Sequence, residues 1–219
     1  TSWTVFADGT SSLTSTTVTG LTNGTAYIFR VRAQNSEGYS PYSTQSASVT
    51  PSTTAVAPTS LTATYSDAQV SLSWTAPADN GGASVTDYAV QYSSNGGTTW
   101  TTFTDGTSTS SSATVTGLAN GTAYVFRVAA INAAGTGSYS TPSTSVTPRT
   151  VPTAPLNLAG VKGDLQVSLS WDAPSDAGGA SITDYAVEYS SNSGTSWTVF
   201  ADGTSSLTST TVTGLTNGT

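Results

Sequence analysis

The feature that most constrains the fold of this chain is a sequence repeat with a step of 97 residues. Three tryptophans follow this step: Trp3, Trp100 and Trp197. The Asn-Gly-Thr triplets follow it too, at Asn23, Asn120 and Asn217. Such a step is too long for a solenoid repeat and fits one whole β-sandwich domain. The 219 residues therefore predict about two domains' worth of one kind of unit.

A second, longer period indicates that two versions of the repeat alternate. Residues 1–25 are identical to residues 195–219, whereas the intervening copy at 98–122 differs at several positions. Both ends of the chain then fall inside a domain. Natural termini seldom cut a sandwich between strands, because the exposed sheet edges would be left unpaired. We therefore expect the chain to be a window from a longer array.

The predicted organisation has one complete domain and two partial ones. Residues 1–52 form the C-terminal part of a domain, with its last four strands only. Residues 55–150 form a complete domain. Residues 152–219 form the N-terminal part of a third, truncated domain with its first five strands.

Within the complete domain, alternation of apolar and polar residues predicts short β-strands and no helix. Val70, Leu72 and Trp74 alternate with serines, a pattern typical of a half-buried strand. Tyr124 and Phe126 are two residues apart, so they lie on the same face of a longer strand. Seven such strands, with turn signals every 8–12 residues or so, predict an all-β fold made of two antiparallel sheets, a β-sandwich.

The segment "LANGTAYVFRVAAINAAGTGSYS" resembles the signature of the fibronectin type III family. Its matching residues are Leu118, Thr122, Tyr124, Val128, Ala130, Asn132, Gly135 and Ser140. The segment "LTNGTAYIFRVRAQNSEGYSPYS" matches in the same way, with Leu21, Thr25, Tyr27, Val31, Ala33, Asn35, Gly38 and Ser43. The resemblance implies tandem seven-stranded, immunoglobulin-like sandwiches. It also implies that Tyr27 and Tyr124 are tyrosine corners, whose hydroxyls bond to backbone near the preceding leucine.

The composition argues against catalysis and against nucleic acid. The chain has no His and no Cys, so the commonest general base, the thiol nucleophile and the soft metal ligands are missing. Twelve acidic residues against five basic ones give a net charge of −7, which a phosphate backbone would repel. No apolar run approaches 18 residues, so we expect no membrane insertion in this segment. We expect no enzyme activity, no catalytic residue, no cofactor and no metal.

Several polar residues admit both a functional and a structural interpretation. Asp79, Asp87 and Asp105 lie at turns, but no calcium-loop motif surrounds them, and turn capping is the favoured role. The Asn-Gly-Thr triplets fit a glycosylation acceptor and also an Asn-Gly turn, and the turn is favoured.

Aromatic and basic residues give the remaining candidate contacts. Trp3, Trp100 and Trp197 lie on a short edge strand, where they would either stack on sugar rings or assembly partners or, as we favour, cover the side of the sandwich. Outward-facing arginines on a central strand are expected to pair with acidic side chains across strands: Arg30, Arg32 and Arg127.

The leading functional prediction is a structural one. Proline-rich links at 50–61 and 147–158 are semi-rigid, so the domains should follow one another as a spacer, stalk or fibre of an extracellular or cell-surface protein. Its partners would be other copies of the repeat, in a filament or laterally, with surface glycans or proteins as further possibilities. The alternatives are a carbohydrate- or protein-binding accessory module of a secreted enzyme or adhesin, and a phage or virion surface component.

Overall fold

The computed structural model describes residues 2–218, and every regular element in that part of the chain is a β-strand. Thr1 and Thr219 lie outside the described residues, so the domain ends predicted there and the last residue of the third Asn-Gly-Thr triplet are not part of the description.

The middle repeat contains seven strands and confirms the predicted all-β class. They are β3 (Thr59–Ser66), β4 (Gln69–Thr75), β5 (Asp87–Ser93), β6 (Thr101–Phe103), β7 (Ser112–Thr116), β8 (Val125–Asn132) and β9 (Gly135–Thr136). One antiparallel sheet has the order β3-β4-β7 and the other the order β6-β5-β8-β9. The two sheets bury their facing rows of side chains against each other, as the alternation predicted.

The core of the middle repeat is built from those inward rows. Val70, Val90, Val115, Phe126 and Val128 are all fully buried. Two further aromatic rings close the core, as Trp74 meets Tyr88 edge-on with centroids 5.1 Å apart. The indole Nε1 of Trp74 is buried without a hydrogen-bond partner, so this ring stabilises the fold through packing alone.

The first 52 residues depart from the four strands that the sequence predicted there. Between residues 2 and 58, the structure has only the hairpin of β1 (Gln34–Asn35) and β2 (Gly38–Tyr39), with an isolated bridge between Tyr27 and Val49. Residues 15–19 are equivalent in sequence to β7, but the stretch equivalent to its partner β4 lies outside the 219 residues. Without that partner residues 15–19 form no ladder, so 1–52 has fewer strands than the four predicted, and its assignment as the C-terminal part of a domain stays a prediction.

The third repeat keeps five strands. They are β10 (Leu156–Gly163), β11 (Gln166–Asp172), β12 (Val187–Tyr189), β13 (Thr198–Phe200) and β14 (Ser209–Thr213). Their sheets have the orders β10-β11-β14 and β12-β13, which reproduce the whole β3-β4-β7 sheet and the β5-β6 pair of the other sheet of the middle repeat. Only a small core results, formed by Trp171, Val187 and Val212.

Equivalent positions show how strongly burial depends on the complete sandwich. Val128 is fully buried in the middle repeat, whereas Val31, 97 residues earlier, is 71% exposed. The local sequence is nearly the same around both valines, so the strands packed over them decide the difference.

Candidate functional site

One face of the middle repeat carries a stacked cluster around Arg127. The guanidinium carbon of Arg127 lies 4.2 Å from the ring centroid of Trp100 and 4.3 Å from that of Tyr139. Its Nε and Nη2 donate to Oε1 of Gln91 over 2.9 Å and 2.7 Å. Gln91 and Arg127 lie on β5 and β8, and the two rings lie just before β6 and after β9. The cluster therefore links the strands of this sheet on its outer face.

The first repeat has the same arrangement around its arginines. Arg30 lies 4.0 Å from the ring centroids of both Trp3 and Tyr42. Arg32 lies 3.9 Å from the ring of Tyr39 and 4.8 Å from that of Tyr42. The prediction that these arginines pair with acidic side chains is therefore wrong. An arginine loses little hydration when it stacks on an aromatic face, and the rings lie directly beside it here.

The three candidate tryptophans consequently differ in how available they are. The faces of Trp3 and Trp100 are covered by an arginine and the two rings are only partly exposed. Trp197 is 61% exposed, and within residues 2–218 no arginine lies over its ring. The structure thus places Trp3 and Trp100 in an intramolecular stack and leaves Trp197 as the most open ring of the three.

Both tyrosines of the corner motif bond back to the backbone. The Ala119 amide donates to the Tyr124 hydroxyl over 3.1 Å, and the Thr22 amide donates to the Tyr27 hydroxyl over 3.0 Å. Each donor directly follows the leucine that precedes the Asn-Gly turn. The bond from Thr22 also lowers the pKa of the Tyr27 phenol, because it stabilises the phenolate form.

We expect Tyr124→Phe to lower the free energy of unfolding of the middle repeat by about 1 kcal/mol, the usual value of one lost hydrogen bond. The ring of Tyr124 is buried and its packing is retained in the variant. Urea unfolding followed by tryptophan fluorescence measures the change. Tyr27→Phe is the matched control at the less buried corner and should change stability less; an equal or larger loss there would contradict the assignment.

The acidic and amide side chains at the turns make hydrogen bonds that stabilise the turns themselves. Asp79 Oδ1 accepts from the Gly81 amide over 2.8 Å, as expected for turn capping. Asn120 Oδ1 accepts from the Ala68 amide over 2.9 Å, and its Nδ2 donates to Asp67 over 2.8 Å. The amide nitrogen of this Asn-Gly-Thr triplet thus joins two turns of one repeat. In the described part of the chain, no group of three or more His, Cys, Asp or Glu is placed to hold a metal ion.

The most regular feature outside the cores is the joint between consecutive repeats. We use "joint" for the place where an Asn-Gly turn of one repeat meets the link and the Gly-Gly loop of the next. At the first joint, a Cβ on Gly82 would lie 2.2 Å from the amide nitrogen of Gly24. At the second, a Cβ on Gly179 would lie 2.3 Å from the amide nitrogen of Gly121. Only glycine fits at these two loop positions.

Hydrogen bonds hold the link in the same way at both joints. Thr53 and Val56 donate to Gly81 and Asp79 at the first joint, over 2.9 Å and 3.0 Å. At the second joint, Thr150 donates to Gly178 over 2.8 Å and Thr153 donates to Asp176 over 2.9 Å.

A buried asparagine adds a side-chain clamp at the first joint. Asn132 is 4% exposed, and its Nδ2 donates to the carbonyl oxygens of Thr53 and Asn80 over 2.8 Å and 2.7 Å. The link is therefore fastened to the loop and to the end of β8 at once. Sequence reasoning named Asn132 only as part of the family signature and missed the joint; the Gly-Gly pairs that recur 97 residues apart were the available signal.

Within residues 2–218 there is no helix long and apolar enough to cross a membrane. The fold and these contacts define a class of protein: tandem antiparallel β-sandwiches joined end to end. The family model for the fibronectin type III domain matches residues 4–49 and 56–146. The chain belongs to the fibronectin type III family, as the signature residues predicted.

Relatives with this sequence pattern include bacterial and animal proteins. Exoglucanase B of Cellulomonas fimi is 34% identical over 194 residues, which is 82% of this chain and 17% of that protein. Chitinase A1 of Niallia circulans is 38% identical over 143 residues, covering 61% and 19%. Fibronectin type-III domain-containing protein 3a of Gallus gallus is 32% identical over 186 residues, covering 79% and 15%. The chain spans less than one fifth of the length of each of these three relatives.

Proposed function

We propose that this chain is a non-catalytic spacer: a run of sandwiches that holds other parts of a long extracellular or cell-surface protein at a fixed separation. The observation that carries the proposal is the joint, whose backbone bonds and glycine contacts recur at both junctions between repeats. A flexible string of domains would not need matched contacts at each junction. The partners of each repeat in this proposal are its neighbours in the array.

The expected length of such a spacer follows from the strands. An eight-residue strand spans roughly 26 Å at about 3.3 Å per residue, so each repeat should add on the order of 30 Å. Multi-repeat protein viewed by electron microscopy should appear as rods whose length grows in proportion to repeat number. Compact globules, or chains bent at random at each junction, would contradict the proposal.

A second candidate function is that of an accessory array beside the catalytic domain of a secreted polysaccharide hydrolase. The observation that favours it is the similarity to an exoglucanase and a chitinase. A sugar would have to stack on the ring of Trp197, which is 61% exposed here because the position 97 residues after Arg127 falls outside the 219 residues. A spacer and an accessory array are compatible, because an array that separates two domains is also a spacer.

The two candidates differ in what tryptophan substitutions do. We expect Trp100→Ala to lower the free energy of unfolding by about 1–2 kcal/mol, because Arg127 loses one face of its stack. We expect Trp197→Ala to leave stability within about 0.5 kcal/mol, as for other exposed sites.

Urea unfolding and retention on insoluble cellulose and chitin, measured on both variants and the unmodified chain, separate these roles. Loss of retention in Trp197→Ala at unchanged stability would support the accessory function. Absence of retention in all three proteins, with loss of stability confined to Trp100→Ala, would support the spacer alone.

A further inference from the structure

The segment that follows β9 runs beside β8 without being a β-strand. We call residues 137–146 the edge segment. Ser143 and Ser140 donate their amides to the carbonyl oxygens of Phe126 and Val128, each over 2.8 Å. A step of three residues along the edge segment thus spans the same distance as a step of two residues along β8. Two strand residues span about 6.6 Å, so the edge segment rises only about 2.2 Å per residue and is coiled rather than extended.

Serine hydroxyls complete the ladder that this coiling would otherwise interrupt. The amide of Phe126 donates to Ser143 Oγ over 3.1 Å, and the amide of Val128 donates to Ser140 Oγ over 3.1 Å. In a regular antiparallel pair a backbone carbonyl would accept these bonds. The hydroxyl of Ser143 in turn donates to the carbonyl of Thr144 over 2.9 Å. The hydroxyl of Ser143 therefore accepts a hydrogen bond from β8 and donates one to the backbone of the next residue in its own segment.

The first repeat has three serines in the same arrangement. Their amides donate to the carbonyls of Ala33, Val31 and Phe29 over 2.8–2.9 Å, and their Oγ atoms accept from the same three residues over 3.0–3.1 Å. These hydroxyls also donate to the carbonyl of the next residue over 2.8–2.9 Å. The serines concerned are Ser40, Ser43 and Ser46. Because no residue from 2 to 52 is buried, the pattern follows from the local sequence.

We infer that this serine ladder, formed by Ser40, Ser43, Ser46, Ser140 and Ser143, closes one edge of the sheet to strand addition by a second copy of the repeat. Strand addition needs an extended edge whose outward amides and carbonyls repeat every two residues. A coiled segment with a three-residue step offers no such row. The carbonyl that follows most of these serines already accepts a hydrogen bond from the serine itself. Arrays of repeats would then lie side by side without fusing through this edge.

The inference predicts that loss of the hydroxyls opens the edge. In the full chain, Ser140 and Ser143 are replaced together by valine, and the matched control replaces both by threonine, which has nearly the same shape and retains the hydroxyl. We expect the amides of Phe126 and Val128 to exchange about tenfold faster with deuterium in the valine variant. We also expect its sedimentation to show more association than the unmodified chain, while the threonine variant matches the unmodified chain. Unchanged protection of both amides, or faster exchange without association, would overturn the inference.

A second experiment does not depend on the folding of that variant. The unmodified ¹⁵N-labelled chain is titrated with a synthetic peptide of the β8 sequence, residues 125–132, which would pair with any open edge of the same sheet. We expect no chemical-shift change in the edge segment at a tenfold or so excess of peptide. Saturable shifts at 137–146 would show that the edge accepts a strand and would contradict the inference.

Discussion

Replacing Phe126 by alanine should lower the free energy of unfolding of the middle repeat by about 3–5 kcal/mol, the range seen when a buried phenylalanine is truncated. Phe126 is fully buried near the start of β8, between the two sheets. The substitution removes apolar surface from the core and leaves a cavity that the surrounding valines cannot fill. Urea unfolding of the full chain, monitored by tryptophan fluorescence, measures the change.

The sequence repeat supplies a matched control for this prediction. Phe29 lies 97 residues before Phe126 in nearly the same local sequence, but it is partly exposed and has no complete sandwich around it. We expect Phe29→Ala to change the free energy of unfolding by about 1 kcal/mol or less. Equal losses at the two positions would show that local sequence rather than the assembled core determines stability.

The second large effect is expected at the joint between the middle and third repeats. Gly179 has a φ of +83°, and a Cβ there would lie 2.3 Å from the backbone nitrogen of Gly121. Gly179→Ala should therefore force the two repeats apart, in addition to the strain of about 1–2 kcal/mol that alanine has in this backbone conformation. We expect ¹⁵N relaxation to show the middle and third repeats tumbling as one body in the unmodified chain and as two in the variant.

Gly203→Ala separates the clash from the strain. Gly203 has a φ of +76° in the same repeat, but a Cβ there would meet no atom within 4 Å. This control should lose a similar amount of local stability and leave the tumbling of the repeats unchanged. Independent tumbling in both variants would mean that backbone strain, and not the contact with Gly121, governs the joint.

The sequence predicted the fold well because the relevant signals are local and periodic. Alternating residues such as Val70 and Leu72 identify strands without knowledge of their partners, and the 97-residue step identifies the domain. Fewer strands form in 1–52 than the alternation predicts, because such a pattern forms a ladder only when a neighbouring strand is present. Periodicity carries no information on that neighbour.

The contacts on the surface were harder to predict, since they depend on which side chains the sheets bring together. Charge complementarity suggested acidic partners for Arg127, but the strand order β6-β5-β8-β9 places Trp100 and Gln91 beside it instead. The bonding of the edge segment was not predicted, because a three-residue spacing of serines does not reveal that their hydroxyls replace backbone acceptors.

Residual dipolar couplings of the unmodified chain are the sharpest test of a fixed joint, because they report the orientation of one repeat relative to the next. If the joint is a fixed contact, couplings from strands β4, β5 and β8 of the middle repeat and from β11 and β14 of the third should fit a single alignment tensor with the orientation in this structure. Two unrelated tensors, or couplings in the third repeat that are much reduced by motion, would show that the repeats are linked flexibly and would contradict the proposed spacer.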